Sequence, residues 1–502
     1  MEAIQLISND LKAKDIKYSQ LSWVQYTVGY DFGVDEAYKE LTKVYENKAY
    51  YKTIQDVLNP DLLEIDKRRV TLLKNAFEPY HLSEEVNKLS EKINEKSNEL
   101  SQILNKHRTV FEGKEISSVE IAQILAKEEN RDRRKAAFFA KNQVNAPLME
   151  AGFLELVNMR KELAVLRGKT DFVALMLEDD ELDPAMFQTW KQEVEQVLPK
   201  MTEARQKYAE KFLNDTKIMP WDEAYISAKL APSLNAKVDM SAFYETLKNF
   251  FIKFGIDLSK MNITYDVFSR ANKSEWGYNF PIETGKDSRI LANVKDLYSE
   301  YNVLLHETGH GVHSFMTDPE DYLMNMGISG IISEGIANLF GGFLYDELFY
   351  STFFKKEEVD ANFKEIKEWQ KINSLRAVHR ILLDQAFYQT KLEGSQDIEK
   401  LYWSLYKELF NEEPYGENPP WAYLIHHTTH PIYLHNYFMG DVTCEMLAKV
   451  FNETNGTKNV TEKPELFGQF LLEKVISPSG RMPYPELFKA VSGSEFSLKY
   501  IL

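Results

Sequence analysis

A mainly α-helical protein with one small β-sheet is what this sequence predicts, and three observations carry the prediction. Apolar residues recur at intervals of three and four through most long segments. The strict alternation that strands need is scarce. The 502 residues are 44% hydrophobic, enough for a large core, and contain no low-complexity tract or fixed-period repeat.

In chain order, the first clear element is LSEEVNKLSEKINEKSNELSQIL (82–104), where leucine, valine and isoleucine recur against a charged face. Similar patterns cover 118–167, 183–214, 240–255, 355–396 and 398–411, many with Ser, Asp or Pro near the start. The stretch IMPWDEAYISAKLAPSLN (218–235) breaks helical periodicity and suggests a division near 200–220, giving an N-terminal helical lobe (1–210) and a second lobe (211–502). MNITYDVFS (261–269) and SRILANV (288–294) are the strand candidates, separated by the turn-rich KSEWGYNFPIETGKD. A small sheet just upstream of residue 306 follows.

Charge and cysteine content exclude several functions. Sixty Lys and Arg against 77 Asp and Glu give a net charge of −17, which opposes nucleic-acid binding, and no basic patch offsets it. The opening MEAIQLISNDLKAKDIKYSQ lacks a basic region followed by an apolar stretch, and no window is apolar over the roughly 18 residues of a membrane helix. The expectation is a cytoplasmic protein without a membrane partner, monomeric by default. Cys444 is the single cysteine, so a zinc ion must be held by His and carboxylate.

LLHETGHGVHSF (304–315) carries the main chemical signal. A spacing of four places His306 and His310 on one helical face, one turn apart, as two ligands of one ion require. Glu307, beside the first histidine, can reach a water on that ion and take its proton. The longer pattern H-E-x-x-H-x-x-G-x-x-H is not met, because His313 stands at the glycine and Met316 at the third histidine. A third ligand is available in GISGIISEGIANLFGGFLYDE (327–347), where Glu334 follows His310 by 24 residues. Gly327 and Gly330 suit a turn between helices, and Ile331, Ile332, Ile336, Leu339 and Phe340 then form an apolar stripe. A carboxylate early on so apolar a helix calls for a cation. His313 shares the histidine face and competes as a ligand, although a supporting role behind the ligands suits it better. Asn338, one turn after Glu334, is placed to receive the other ring N–H of a metal-bound histidine.

A second cluster lies in WAYLIHHTTHPIYLHNYFMGDVTCEMLAKVF (421–451), where four of the ten histidines, His426, His427, His430 and His435, fall within ten residues. Tyr433 and Tyr437 share a helical face, with His426 seven residues before Tyr433. The cluster reads either as a wall of hydrogen-bond donors or as aromatic packing with solvated histidines.

Taken together these segments resemble the zinc oligopeptidases of family M3, oligoendopeptidase F in particular, with a more distant likeness to angiotensin-converting enzyme. HETGHGVH resembles the signature H-E-[FL]-G-H-x-x-H, with Thr308 at a usually apolar position. SEGIAN is similar to the ligand-bearing helix. WAYLIHHTTHPIYLHNYFMGD is similar to W-A-x-I-P-H-F-Y-x-x-x-x-Y-V-Y-x-Y-A-x-G at Trp421, His426, Tyr433, Tyr437 and Gly440. LVNMRKELAVLRGKTDF (156–172) and FKAVSGSEF (488–496) are weaker echoes.

The resemblance implies a two-lobed helical ellipsoid with a deep central channel, one Zn2+ per chain at its floor, and short unfolded peptides as substrates. It implies His306, His310 and Glu334 as ligands, Glu307 as general base, and His426 and Tyr433 as donors to the transition state, with Tyr437 a second donor candidate. It also implies that the strand before the histidine helix pairs with substrate backbone through Ile290, Leu291, Ala292 and Asn293. Leu424 stands where angiotensin-converting enzymes carry a carboxylate-binding lysine, which disfavours a carboxydipeptidase. The resulting expectation is a zinc-dependent endopeptidase of oligopeptides. Its rivals are a metallocarboxypeptidase sharing the H-E-T-G-H core and a non-enzymatic, zinc-stabilised peptide-binding protein, which would have no use for Glu307.

Overall fold

Helices dominate the computed structural model, which describes residues 1–275 and 277–501, with 358 and 360 described through their backbone alone. Trp276, within the expected turn-rich segment, lies outside the described residues. The expected first clear helix runs Glu84–Lys106, capped by the Ser83 hydroxyl, which accepts from the Val86 N–H at 3.3 Å. Its buried Val86, Leu89, Ile93 and Leu100 lie on the stripe that the periodicity defines. The long 118–167 pattern resolves into Ser118–Lys127, Arg131–Ala140, Asn145–Glu150 and Phe153–Leu166. The breaks are local. The Asn130 side chain caps the second helix at the Arg133 N–H, and Gly152 enters the last with φ of 99°.

Two features escape the periodicity. Strands Thr109–Phe111 and Lys114–Ile116 form a hairpin around Glu112 and Gly113, both at positive φ (52° and 76°), and three-residue strands are too short to leave an alternating signal. The second is Tyr278–Glu283, a strand inside the segment read as turns. It contains Pro281 and sits at a sheet edge, where a missing N–H removes no ladder bond. The three-stranded sheet comprises Ile263–Phe268, Tyr278–Glu283 and Asp287–Val294, the last in the centre, parallel to the first and antiparallel to the second.

The chain forms two compact units, each gathered from three stretches: Met1–Leu82, Ser233–Glu358 and Thr443–Phe496 in one, Ser83–Pro232, Val359–Val442 and Ser497–Leu502 in the other. The division expected at 210/211 falls inside the second unit, because chain returns from far along the sequence complete each core. In the first unit, Ile4, Ile7 and Leu11 pack with Leu41, Val70, Leu73 and Phe77. In the second, Phe111, Ile121, Phe138 and Trp221 share a core. Among the described residues, no helix is long and apolar enough to cross a membrane.

Candidate metal centre

Two helices of the first unit build the site, Tyr301–Phe315 with the histidines and Gly330–Gly342 with Glu334. The Ser329 hydroxyl starts the second helix by accepting from the Ile331 N–H at 3.2 Å, and Ile331, Ile332, Ile336 and Phe340 are buried along it. Glycines let the two helices approach closely. A Cβ on Gly309 would stand 3.0 Å from the Ala337 Cα and 3.2 Å from the Phe340 ring, and one on Gly341 would stand 3.4 Å from the His306 Cβ. The Asn302 amide donates to the Gly341 carbonyl at 3.1 Å and ties the crossing. Gly311 performs the same service toward the sheet, facing Ile263 and Ile290.

This crossing brings three ligand atoms together. His306 Nε2 lies 3.8 Å from one Glu334 oxygen and His310 Nε2 lies 3.7 Å from the other. All three candidate atoms fall within 4.8 Å of one another. Bonds of about 2.0–2.2 Å to a shared tetrahedral ion place ligand atoms about 3.3–3.5 Å apart, so the cluster fits a divalent cation with little movement. The outer faces of the rings are engaged. His310 Nδ1 meets the Ser333 hydroxyl at 2.9 Å, and the Asn338 side chain hydrogen-bonds His306. Those contacts leave each Nε2 facing inward. Three protein ligands leave a fourth position for water, the pattern of catalytic rather than structural zinc sites.

Electrostatics agree with a site built for a cation. Burial pushes His306 down to about 4 and His310 well below its usual value, so both rings are neutral and able to ligate. Burial, aided by the Glu334 carboxylate, pushes Glu307 up to about 8, and burial raises Glu334 as well. Burial thus disfavours the charged form of both carboxylates, a cost that a bound cation would offset. Gly277 borders Glu307: a Cβ there would lie 3.1 Å from its Oε1 and 2.8 Å from the Val303 side chain.

His313 is not one of the three clustered ligand candidates. It is buried and hydrogen-bonds the Ser479 hydroxyl at 3.2 Å on the C-terminal segment of the same unit, while its ring remains close enough to His310 to lower that residue's pKa. Thr308, the departure from the apolar consensus, is buried with its hydroxyl 3.2 Å from that of Tyr265 on the sheet. The strand expected to receive substrate also needs correction. Ile290 and Leu291 pair on both sides, and Ile290, Leu291 and Ala292 are wholly buried. The Ala292 carbonyl accepts from Lys273, and the Asn293 amide donates to the Ser274 carbonyl at 2.8 Å. At Ile290 and Leu291 the strand therefore has no free edge for a peptide; the outer strands of this sheet are Ile263–Phe268 and Tyr278–Glu283.

The second unit gathers the other expected residues. His426 stacks near Tyr433 (ring centroids 6.5 Å apart, 11° between planes) and stands edge-on to Tyr437 at 6.0 Å, with Tyr433 and Tyr437 themselves 5.3 Å apart. Both tyrosines are exposed. Burial lowers the His426 pKa, so its ring is neutral near pH 7. Unanticipated residues hold this segment. The buried Asp384 accepts from His427 Nδ1 at 3.0 Å with one oxygen and from the Ile432 N–H at 2.7 Å with the other. Ile432 adopts φ of 55°, unfavourable for a β-branched residue, so the Asp384 contact fixes a strained turn immediately before Tyr433. Arg160 donates to the His427 carbonyl at 3.3 Å and to the Thr428 carbonyl. A lone Asp in the apolar run RILLDQAF was the available signal for Asp384; nothing in the sequence marks Ser333 beyond its place beside Glu334.

With this geometry in place, comparison with known proteins is informative. The profile of Peptidase family M3 matches residues 124–264. Over 290 residues the chain is 26% identical to an oligoendopeptidase F homolog of Mycoplasma genitalium. Both matches support a peptidase of family M3. The stretch aligned with the Mycoplasma protein covers 53% of this chain and 46% of that relative's length. Two solved structures share the fold: Pz peptidase A with an inhibitor (TM-score 0.67, 16% identity, 98% of this chain and 94% of the other) and the M32 carboxypeptidase of Deinococcus radiodurans R1 (TM-score 0.67, 14% identity, 100% and 97%).

Proposed function

We propose that this chain is a zinc-dependent oligopeptidase that hydrolyses internal bonds of short unfolded peptides, with one Zn2+ held by His306, His310 and Glu334. The observation that carries the reading is the convergence of two neutral imidazole nitrogens and a carboxylate, with a second carboxylate, Glu307, on the adjoining helical position. A purely structural ion would need no such base. The match to the family M3 model and the name of the Mycoplasma relative favour peptide substrates and internal cleavage.

Zinc, when bound, supplies a Lewis acid that polarises a carbonyl and acidifies water. The chain's own groups do the rest. The Glu307 carboxylate takes a proton from the attacking water and delivers it to the leaving amine. In the proposed reaction Tyr433 and neutral His426 donate hydrogen bonds to the oxygen that gains charge in the transition state, and Tyr437 is the alternate donor. Asp384 and Arg160 act through the backbone that carries them.

The test is cleavage of a mixed peptide library with free or blocked termini, with and without chelator, read by mass spectrometry. Chelator-sensitive internal cuts in terminally blocked peptides are expected. Release of C-terminal residues from free peptides alone identifies a carboxypeptidase instead, and no chelator-sensitive cut identifies a peptide-binding protein.

A further inference from the structure

The second unit holds a half-open cavity of about 310 Å3 whose lining shares no residue with the metal cluster. Its size lies at the lower end of the range for small-molecule sites, about 300–1,000 Å3, and far exceeds the roughly 30 Å3 share of one water. Its walls are largely aromatic, with Tyr406, Phe410 and Trp421 among them, and the Tyr402 and Tyr415 hydroxyls bond each other at 2.9 Å within the lining.

The charges on that lining do not balance. Arg376 is answered by Glu412, at 3.1 and 3.3 Å, and by the Tyr406 hydroxyl. Glu223 is answered by Arg205 at 3.0 Å. Lys141 and Arg380 remain. Among the described residues neither makes a hydrogen bond or an ion pair. The Lys141 ammonium lies 4.6 Å from the Phe138 ring centroid and 5.2 Å from that of Tyr423, contacts that offset only part of the loss of water. Burial, reinforced by the neighbouring Arg380 guanidinium and opposed in part by the Glu223 carboxylate, pushes Lys141 down to about 8. Lys141 is half-buried and the nearby Glu223 carboxylate, already paired with Arg205, offsets its charge only in part, so a ligand that supplies a counter-charge at Lys141 would be stabilised there.

We propose that this cavity binds a small organic carboxylate with an aromatic or apolar body, its carboxylate held between Lys141 and Arg380 and its body against the tyrosine and tryptophan wall. A single-atom anion would satisfy the cations and leave most of the volume and the apolar wall unused. A neutral aromatic molecule would fill the volume, cover Lys141 and supply no charge to it or to Arg380 at the solvent-exposed side. A charge-assisted contact from each cation makes the acid the complementary ligand.

The experiment uses the full chain after chelator treatment, so binding is read independently of peptidase activity. Benzoate and N-acetyl-L-phenylalanine are titrated by calorimetry at fixed ionic strength, with benzamide and N-acetyl-L-phenylalaninamide as neutral counterparts and sodium chloride as the simple anion. Saturable binding of the acids, at least tenfold tighter than their amides, is expected. Lys141→Met and Arg380→Gln should each weaken it tenfold or more, and without ligand Lys141→Met should melt at or above the wild-type temperature. Equal affinity for acid and amide, unaltered acid binding in both variants, or no saturable binding in the millimolar range overturns the proposal. Should Lys141→Met not fold, Arg380→Gln, at a solvent-exposed position, carries the same comparison.

Discussion

His310 Nδ1 lies 2.9 Å from the Ser333 hydroxyl, while Nε2 of the same ring faces the Glu334 carboxylate at 3.7 Å. Adjacent residues of one helix thus orient a candidate ligand and supply its neighbour in the cluster. Partners that orient a ligating histidine are typically worth a factor of about 10–100 in metal affinity. Ser333→Ala should therefore weaken zinc binding by about that factor, measured by competition with a chromophoric chelator, and Ser333→Thr should keep most of it. Unchanged affinity in the alanine variant removes Ser333 from the site.

The two carboxylates should separate by role. Glu307→Gln should bind one zinc per chain and lose turnover, whereas Glu334→Gln should lose the metal itself, with metal content read by mass spectrometry and turnover on a quenched fluorescent peptide. Peptide cleavage by Glu307→Gln at the wild-type rate would falsify the proposed mechanism.

Tyr433→Phe should leave the melting temperature unchanged and lower kcat by about a hundredfold or more, since one oxyanion donor is worth about 2.7–4 kcal/mol. Asp384→Asn should behave differently. It weakens two hydrogen bonds to a buried carboxylate, each contributing about 1.5–3 kcal/mol, and releases the strained turn at Ile432. Both stability and kcat should fall. A variant that loses kcat without stability would show that Asp384 does more than hold the segment.

The parts of the site legible in the sequence are those encoded by spacing along one helix. His306, Glu307 and His310 are fixed by a four-residue period, and Glu334 by its place on an apolar helix. What escapes is encoded by contacts between distant segments. Ser479 claims His313 from 166 residues away, and Asp384 reaches Ile432 across 48. Strand order escapes for a related reason. An apolar strand such as ILANV is compatible with an edge or a centre, and only the unforeseen strand Tyr278–Glu283 makes it central. Long apolar periodicity in 118–167 likewise hides the joints, because each short helix continues the same buried stripe.

Acid should destabilise the protein through its buried neutral histidines. His379 donates from Nε2 to the Tyr402 carbonyl at 2.9 Å, and burial pushes it down to about 3. The unfolded chain takes up this proton below about 6.5, the native protein only near 3, so the unfolded state holds the extra proton between those values. Stability therefore falls as pH drops from 6.5 toward 3, by about 1.4 kcal/mol per pH unit for this one group. Urea unfolding across pH 4.5–7 should show a shallower slope for His379→Gln by about that amount. Parallel slopes in the two proteins would assign the acid sensitivity elsewhere.

Gly309→Ala tests whether the helix crossing sets the metal site. The added methyl would stand 3.0 Å from the Ala337 Cα and 3.2–3.3 Å from Phe340, so one helix must shift by a few tenths of an ångström. Helix propensity favours alanine over glycine by about 0.8–1.0 kcal/mol, and overpacking opposes it by about 1–3 kcal/mol. Overpacking should win, because the Ala337 contact is backbone and both Ala337 and Phe340 are fully buried. The expected result is a net loss of about 1–2 kcal/mol in unfolding free energy together with weaker zinc binding, since the displaced helix carries Glu334. Gly342→Ala is the internal control: a Cβ there meets nothing within 4 Å, so that variant should be neutral or slightly stabilising, with zinc affinity intact. Loss of affinity in Gly309→Ala and not in Gly342→Ala ties the metal centre to the closeness of the two helices. Equal behaviour of the two variants would mean that the site tolerates their separation.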